Sequence, residues 1–289
     1  MRPYPLLLAL TALGLVACGS SGGPIQQPSQ PPLPSATQTP NETADSTKPT
    51  TDTTPPSSNK AYDVDFVEAK MATPPEKAPR ISVDVPGIEQ VIPVAQLPSV
   101  RVRFKVKDTE KLPPNWYVQF VLDGQYSEPV LSPTQPVMLT ELAGPGGLKE
   151  GQHIIAAAVC LENNECIKSE KSITVHKFFV GKKSSGGWSR NDPLLVVTSP
   201  GGTYPGDALV DWYLLNGTMG KNAYSLRVSI NGPGVKPGGI QRVITEWHPW
   251  VVLSAHDGET YKAKFELLDP NGELVPLGTV EREFRVIRD

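Results

Sequence analysis

Val100-Arg101-Val102-Arg103-Phe104-Lys105-Val106-Lys107 decides the fold class. Apolar and cationic residues alternate at every step. A period of two puts Val100, Val102, Phe104 and Val106 on one side of an extended chain and the four cations on the other. That is a half-buried β-strand. Trp116, Val118, Phe120 and Leu122 repeat the pattern until Asp123-Gly124 turns the chain. Residues 153–161 are apolar on both faces, as a central strand requires. Ile173, Val175 and Phe179 line one side of 172–180, and turns such as Gly144-Pro145-Gly146-Gly147 separate the runs. No stretch of useful length has helical period. The reading is an antiparallel sandwich of about seven strands.

A polar stretch, Gly181-Lys182-Lys183-Ser184-Ser185-Gly186-Gly187, interrupts the pattern, which restarts at Leu194. Tyr224, Leu226, Val228 and Ile230 alternate with polar residues and end at Asn231-Gly232. Tyr261, Ala263, Phe265 and Leu267 alternate with Lys262, Lys264 and Glu266. The fold class is therefore all-β, with two tandem antiparallel β-sandwich domains at 79–181 and 192–289 joined by a linker at 182–191. Each is about the size of an immunoglobulin-like domain.

Both halves resemble bacterial immunoglobulin-like or fibronectin-type-III-like domains. In the first, Gly151-Gln152-His153-Ile154-Ile155-Ala156-Ala157-Ala158-Val159 is similar to a late strand of such domains. The antibody-type pair of distant cysteines around a tryptophan is missing. Cys160 and Cys166 instead flank Leu161-Glu162-Asn163-Asn164-Glu165. A three-residue hairpin loop at 162–164, with Asn164 left-handed, sets Cys160 opposite Cys166. Opposed strand residues lie within disulfide range. The spacing predicts a cross-hairpin disulfide that pins the register; the competing reading is two buried thiols.

The N-terminus has the parts of a secretory signal. Arg2 and the terminal amine supply charge, and an apolar core follows from Leu6 to Val16. That core is about a dozen residues, against ~20 for a spanning helix. Leu15-Val16-Ala17-Cys18 resembles the lipobox of bacterial lipoproteins. The resemblance implies a signal peptide at 1–17, cleavage before Cys18, and acylation of its thiol and new amine. It also implies a lipid-anchored place in the cell envelope, with Gly19 directing the protein to the outer membrane if the host is Gram-negative. Between Gly19 and Lys60 no aromatic occurs and Pro, Ser, Thr and Gln dominate, so 18–78 reads as a disordered tether. Asn41-Glu42-Thr43 fits a glycosylation acceptor, without reason to invoke that machinery here. Within the tether Tyr62-Asp63-Val64-Asp65-Phe66 alternates briefly, as a short strand or docked segment would.

A net charge of −3 over 289 residues, with dispersed charges, argues against nucleic acid as a partner. No histidine of His153, His176, His248 and His256 has metal-ligand spacing, so no metal or cofactor is expected. Ser254, His256 and Asp257 are too close in sequence to meet as a triad. The loop Gly232-Pro233-Gly234-Val235-Lys236-Pro237-Gly238-Gly239 lacks the helix start of a phosphate cradle. The cations of 101–107 could meet an anionic glycan, but a guarded edge or solvent face is the weightier reading. The leading binding candidate is Glu246, Trp247 and Trp250, where indole faces would stack on sugar rings beside an acid. Sandwich cores also take tryptophan, and core packing carries more weight. The expectation is a non-catalytic interaction or structural module with an envelope protein as partner. A carbohydrate- or peptidoglycan-binding lipoprotein is the alternative, as is an accessory subunit of an envelope complex.

Overall fold

The computed structural model describes residues 62–132 and 135–288. The expected signal peptide, Cys18 and residues 18–61 of the expected tether lie outside the described residues.

The alternating stretch is a strand. After β1 (Asp65–Glu68) come β2 (Arg80–Val85), β3 (Val91–Ile92), β4 (Arg101–Lys107), β5 (Tyr117–Leu122), β6 (Gln125–Tyr126), β7 (Val137–Met138), β8 (Gly151–Cys160) and β9 (Ile173–Val180). A single 3-10 segment (Val94–Ser99) and one helical turn, α1 (Leu139–Leu142), interrupt them. One sheet has the order β2-β4-β7 and the other β3-β9-β8-β5-β6. Their inner faces supply the first core. Ile81, Val83, Val102 and Phe104 meet Val118, Phe120, Leu122, Ile155 and Phe178, with the rings of Phe104 and Phe120 edge-on at 5.2 Å. Arg101, Arg103, Lys105 and Lys107 face solvent as the alternation requires.

The second half repeats the plan. Its strands are β10 (Leu194–Ser199), β11 (Gly202–Tyr204), β12 (Ala208–Leu215), β13 (Ser225–Asn231), β14 (Ile240–Ile244), β15 (Trp250–Leu253), β16 (Thr260–Leu268) and β17 (Leu274–Val286). The sheet β11-β17-β16-β13-β14 matches β3-β9-β8-β5-β6 strand for strand. In both, the second short strand-edge segment pairs in parallel with the last strand, β3 with β9 and β11 with β17. The facing sheet runs β1-β15-β12-β10. Trp212, Phe66, Tyr261, Phe265 and Phe284 are the large side chains of its core.

Strand β1 corrects the tether boundary. Residues 65–68 pair antiparallel with β15, Phe66 against Val252, and Phe66 is fully buried. The ordered part of the described chain thus begins more than ten residues before the expected end of the tether at 78. The physical reason is Phe66 itself, which fills a gap in the second core. The chain then crosses between sandwiches: the Ala69 N–H donates to the Pro249 carbonyl at 2.8 Å, and the Ala72 N–H to Glu165 Oε2 at 2.8 Å.

A third core lies between the sandwiches. Tyr117, Val121, Ala156 and Ala158 on the outer face of one sheet pack with Leu194, Val196 and Tyr213 on the outer face of the other. Trp188, from the expected linker 182–191, is buried among them and donates its indole N–H to the Asp192 carbonyl. That explains why β5 and β10 are buried along their whole length on both faces. Each fully buried side chain of this kind contributes about 1.5–3 kcal/mol relative to exposure. The two sandwiches are one body, with no free hinge at Trp188.

Candidate functional site: the disulfide hairpin, its cleft and its latch

Strand β8 ends at Cys160, and the chain turns back so that Cys160 and Cys166 face each other in a disulfide. The Leu161 N–H donates to the Glu165 carbonyl, and Asn164 is left-handed at φ 67°. The hairpin has the expected geometry, and its two flanks do different work.

One flank forms a wall of a cleft of about 600 Å³. Glu162 and Asn164 stand opposite Leu112, Pro113, Pro114 and Trp116, while Pro129 and Leu131 close a third side. Asn115 is left-handed at φ 66°, a conformation that Asn tolerates better than other side-chain-bearing residues. Its Nδ2 donates to Glu162 Oε1 at 3.3 Å. The Tyr117 hydroxyl donates to Asn164 Oδ1 at 2.9 Å, and burial pushes its pKa well up, so it stays a donor. Trp116 is half-buried, with its ring seated on the first core, and Leu131 is 69% exposed on the rim. No Lys or Arg lines this cleft. By its alternation Trp116 reads as one more strand residue. The signal that marks it is Pro113-Pro114-Asn115 just before it, which turns the chain and leaves the indole at a loop end.

The other flank is a latch to the second sandwich. Asp211, on β12, is fully buried. Lys168 Nζ lies 2.7 Å from its Oδ1 and donates to its Oδ2 at 2.8 Å. The Cys166 N–H donates to the same Oδ2 at 2.8 Å, and the Trp212 N–H to Oδ1 at 2.9 Å. The ammonium also donates to the Trp212 carbonyl and sits 3.8 Å from the centre of the Tyr213 ring and 4.6 Å from that of Trp247. Burial pushes the Lys168 pKa down while Asp211 pulls it back. Glu165 is also buried, and burial raises its carboxyl above the usual range. Tyr213 donates its hydroxyl to the Ile167 carbonyl at 2.8 Å, closing the contact from below.

Glu246, Trp247 and Trp250 lie beside this latch, and both indoles pack on the second core, the weightier of the two sequence readings. Trp247 is half-buried, its indole N–H donates to the Trp212 carbonyl at 3.0 Å, and Lys168 faces its ring. Trp250 packs on Phe66 with ring centres 4.9 Å apart, and its indole nitrogen is buried without an acceptor. Glu246 is exposed in the bend before them. Both indoles are engaged in packing and stay partly exposed beside the acid. Elsewhere, His256 pairs with Asp63 at 2.7 Å and not with Ser254. Among the described residues, no group of three or more His, Cys, Asp or Glu is placed to hold a metal ion.

No protein-family model matches the chain, and neither does any curated protein. Among solved structures it is similar to the fibronectin(III)-like modules of Clostridium thermocellum CbhA, at 14% identity over 72% of this chain and 94% of that one, with a TM-score of 0.25. It is also similar to the chicken CNTN1 FN1-FN3 domains, at 10% identity over 73% of this chain and 65% of that one, TM-score 0.23. A third is an alpha-L-rhamnosidase from Dictyoglumus thermophilum, at 12% identity over 71% of this chain and 29% of that one, TM-score 0.23. The β-sandwich assignment rests on the strand order given above.

Proposed function

We propose that this chain is a non-catalytic binding module of a bacterial envelope, anchored by lipid at Cys18 and presenting a ligand cleft at the loop end of its first sandwich. The observation that carries this reading is the disulfide hairpin. It stiffens one wall of the cleft on one flank and, through Lys168 and Asp211, fixes the first sandwich to the second on the other. A site held on both sides in this way needs little ordering when it binds. Anchoring is supported by the apolar run ending in Leu15-Val16-Ala17-Cys18. Acyl chains on both the thiol and the new amine hold stably, where one chain holds marginally. With Gly19 next, the outer membrane is the destination in a Gram-negative host.

The test is detergent phase partition of cells fed labelled palmitate, comparing the parent with Cys18→Ser. The parent should take label and enter the detergent phase, and the variant should do neither. A variant retained in membranes as firmly as the parent overturns the anchor. Crosslinking in intact cells, with and without Trp116→Ala, then tests whether the cleft is the binding surface.

A further inference from the structure

We propose that the cleft between Trp116 and the disulfide hairpin binds saccharide, taking the pyranose rings of a neutral oligosaccharide. The inference rests on the binding-module reading and adds a ligand class to it. The cleft divides by chemistry as a sugar does. Leu112, Pro113, Pro114, Pro129 and the half-buried Trp116 offer carbon surface, suited to the C–H faces of a ring. Asn115, Glu162 and Asn164 gather two amides and a carboxylate on one side. The Asn115–Glu162 contact, at 3.3 Å, is a long hydrogen bond between exposed groups. Two adjacent hydroxyls, set about one hydrogen-bond length apart, match that spacing and can replace the contact with two better ones.

Size and charge narrow the class. A cleft of about 600 Å³ is in the range of small-ligand sites. With no lysine or arginine in its lining and Glu162 present, it disfavours uronates, phosphates and other anions. An extended peptide added to a sheet needs a free strand edge. At the cleft end β5 offers none, since β8 flanks it on one side and Val118 exchanges backbone hydrogen bonds with Val130 on the other. Left-handed Asn115 and Asn164 and the Cys160–Cys166 disulfide set the polar groups in place before any ligand arrives.

The experiment uses full-length Cys18→Ser protein in solution, so the result is independent of anchoring. Cellotriose, chitotriose and maltotriose are titrated by calorimetry for the parent and every variant, and in the parent the Trp116 indole resonance is followed as well. At least one should shift it, with a dissociation constant of about 1 mM or tighter. Glu162→Ala should weaken that binding about tenfold or more. Because Glu162 is exposed, the variant should keep the parent's unfolding transition. Trp116→Ala should abolish binding, and Glu246→Ala should leave it unchanged. Silence of the Trp116 resonance with all three sugars overturns the proposal, as does binding that ignores Glu162→Ala and Trp116→Ala. A shift with a proline-rich peptide alone makes it a peptide site. Cleavage of a trisaccharide would instead overturn the non-catalytic reading and leave the cleft standing.

Discussion

In the first sandwich β7 has two residues, and no strand lies beyond it among the described residues. Its counterpart in the second, β15, has four residues and is covered by β1, a segment that precedes the first sandwich in sequence. The same strand order is thus finished in two ways: one edge left short, the other covered from upstream. Short edge strands and covered edges are both ways of preventing unwanted strand pairing. The covered edge does more. Because β1 belongs to the second sandwich and Ala72 reaches Glu165 in the first, the chain is stitched across both before either sandwich begins. Chain order and spatial order differ, and the pair cannot part without breaking β1 away or opening the latch.

The largest expected effect comes from breaking the latch at one partner. Asp211→Ala leaves the Lys168 ammonium facing aromatic rings and a carbonyl with its counter-charge gone, at a cost of about 3–5 kcal/mol. Urea unfolding should show a lower midpoint for the variant than for the parent. Replacing both partners, Lys168→Met with Asp211→Leu, should recover most of the loss, since apolar groups of similar volume remove the desolvation cost as well. No recovery would mean that the hydrogen bonds from Cys166 and Trp212 matter more than the charges. Next in size is Phe66→Ala, about 3 kcal/mol, at the low end for buried aromatics because an edge strand can close over the gap. Amide exchange should rise in β15 and β12 and stay unchanged in β4. Equal loosening of β4 would show that the sandwiches share a single stability. The double variant Cys160→Ser with Cys166→Ser should cost about 2 kcal/mol, since the loop it closes is short. It should loosen both flanks of the hairpin together.

Much of this was legible in the sequence. The alternation at Val100–Lys107 and at Tyr224, Leu226, Val228 and Ile230 specifies strands, because one face of each meets its own core. The hairpin at Cys160 was readable because loop length and a left-handed Asn fix a register locally. What was not legible depends on contacts far apart in sequence. Phe66 pairs with Val252, and Trp188 in a glycine- and serine-rich stretch finds a core only after two sheets meet. For Trp247 the sequence offers a core residue or a sugar platform beside Glu246, with more weight on the core. The fate of Trp247 was set by Lys168, about eighty residues earlier, whose charge needed a buried partner. Trp116 was missed for the converse reason: a strand pattern says which side of a sheet a residue takes, and nothing about whether loops beyond the strand end leave it open.

The smallest effect is a dependence on pH with two arms. In the second sandwich, Arg227 and Lys264 hold the Glu266 carboxyl down at about 2, well below the ordinary 4.5. A depressed carboxyl stabilises the fold fully above 4.5, and that contribution is lost as pH falls toward 2. In the first sandwich, burial works against a charge on His153, yet the hydrogen bonds to Asp123 Oδ2 at 2.6 Å and to the Lys149 carbonyl outweigh it and raise its pKa above 6.5. A raised histidine stabilises fully below 6.5, and that contribution is lost as pH rises through its folded value. Melting temperature against pH should therefore fall on both sides of a plateau. Glu266→Gln should flatten the acid side, with a residual slope from Asp63, Asp84, Glu89, Asp108 and Asp269, whose carboxyls are also held low. His153→Gln should flatten the other side alone. If either substitution moved both sides equally, the titrations of Glu266 and His153 would have to be coupled through the third core.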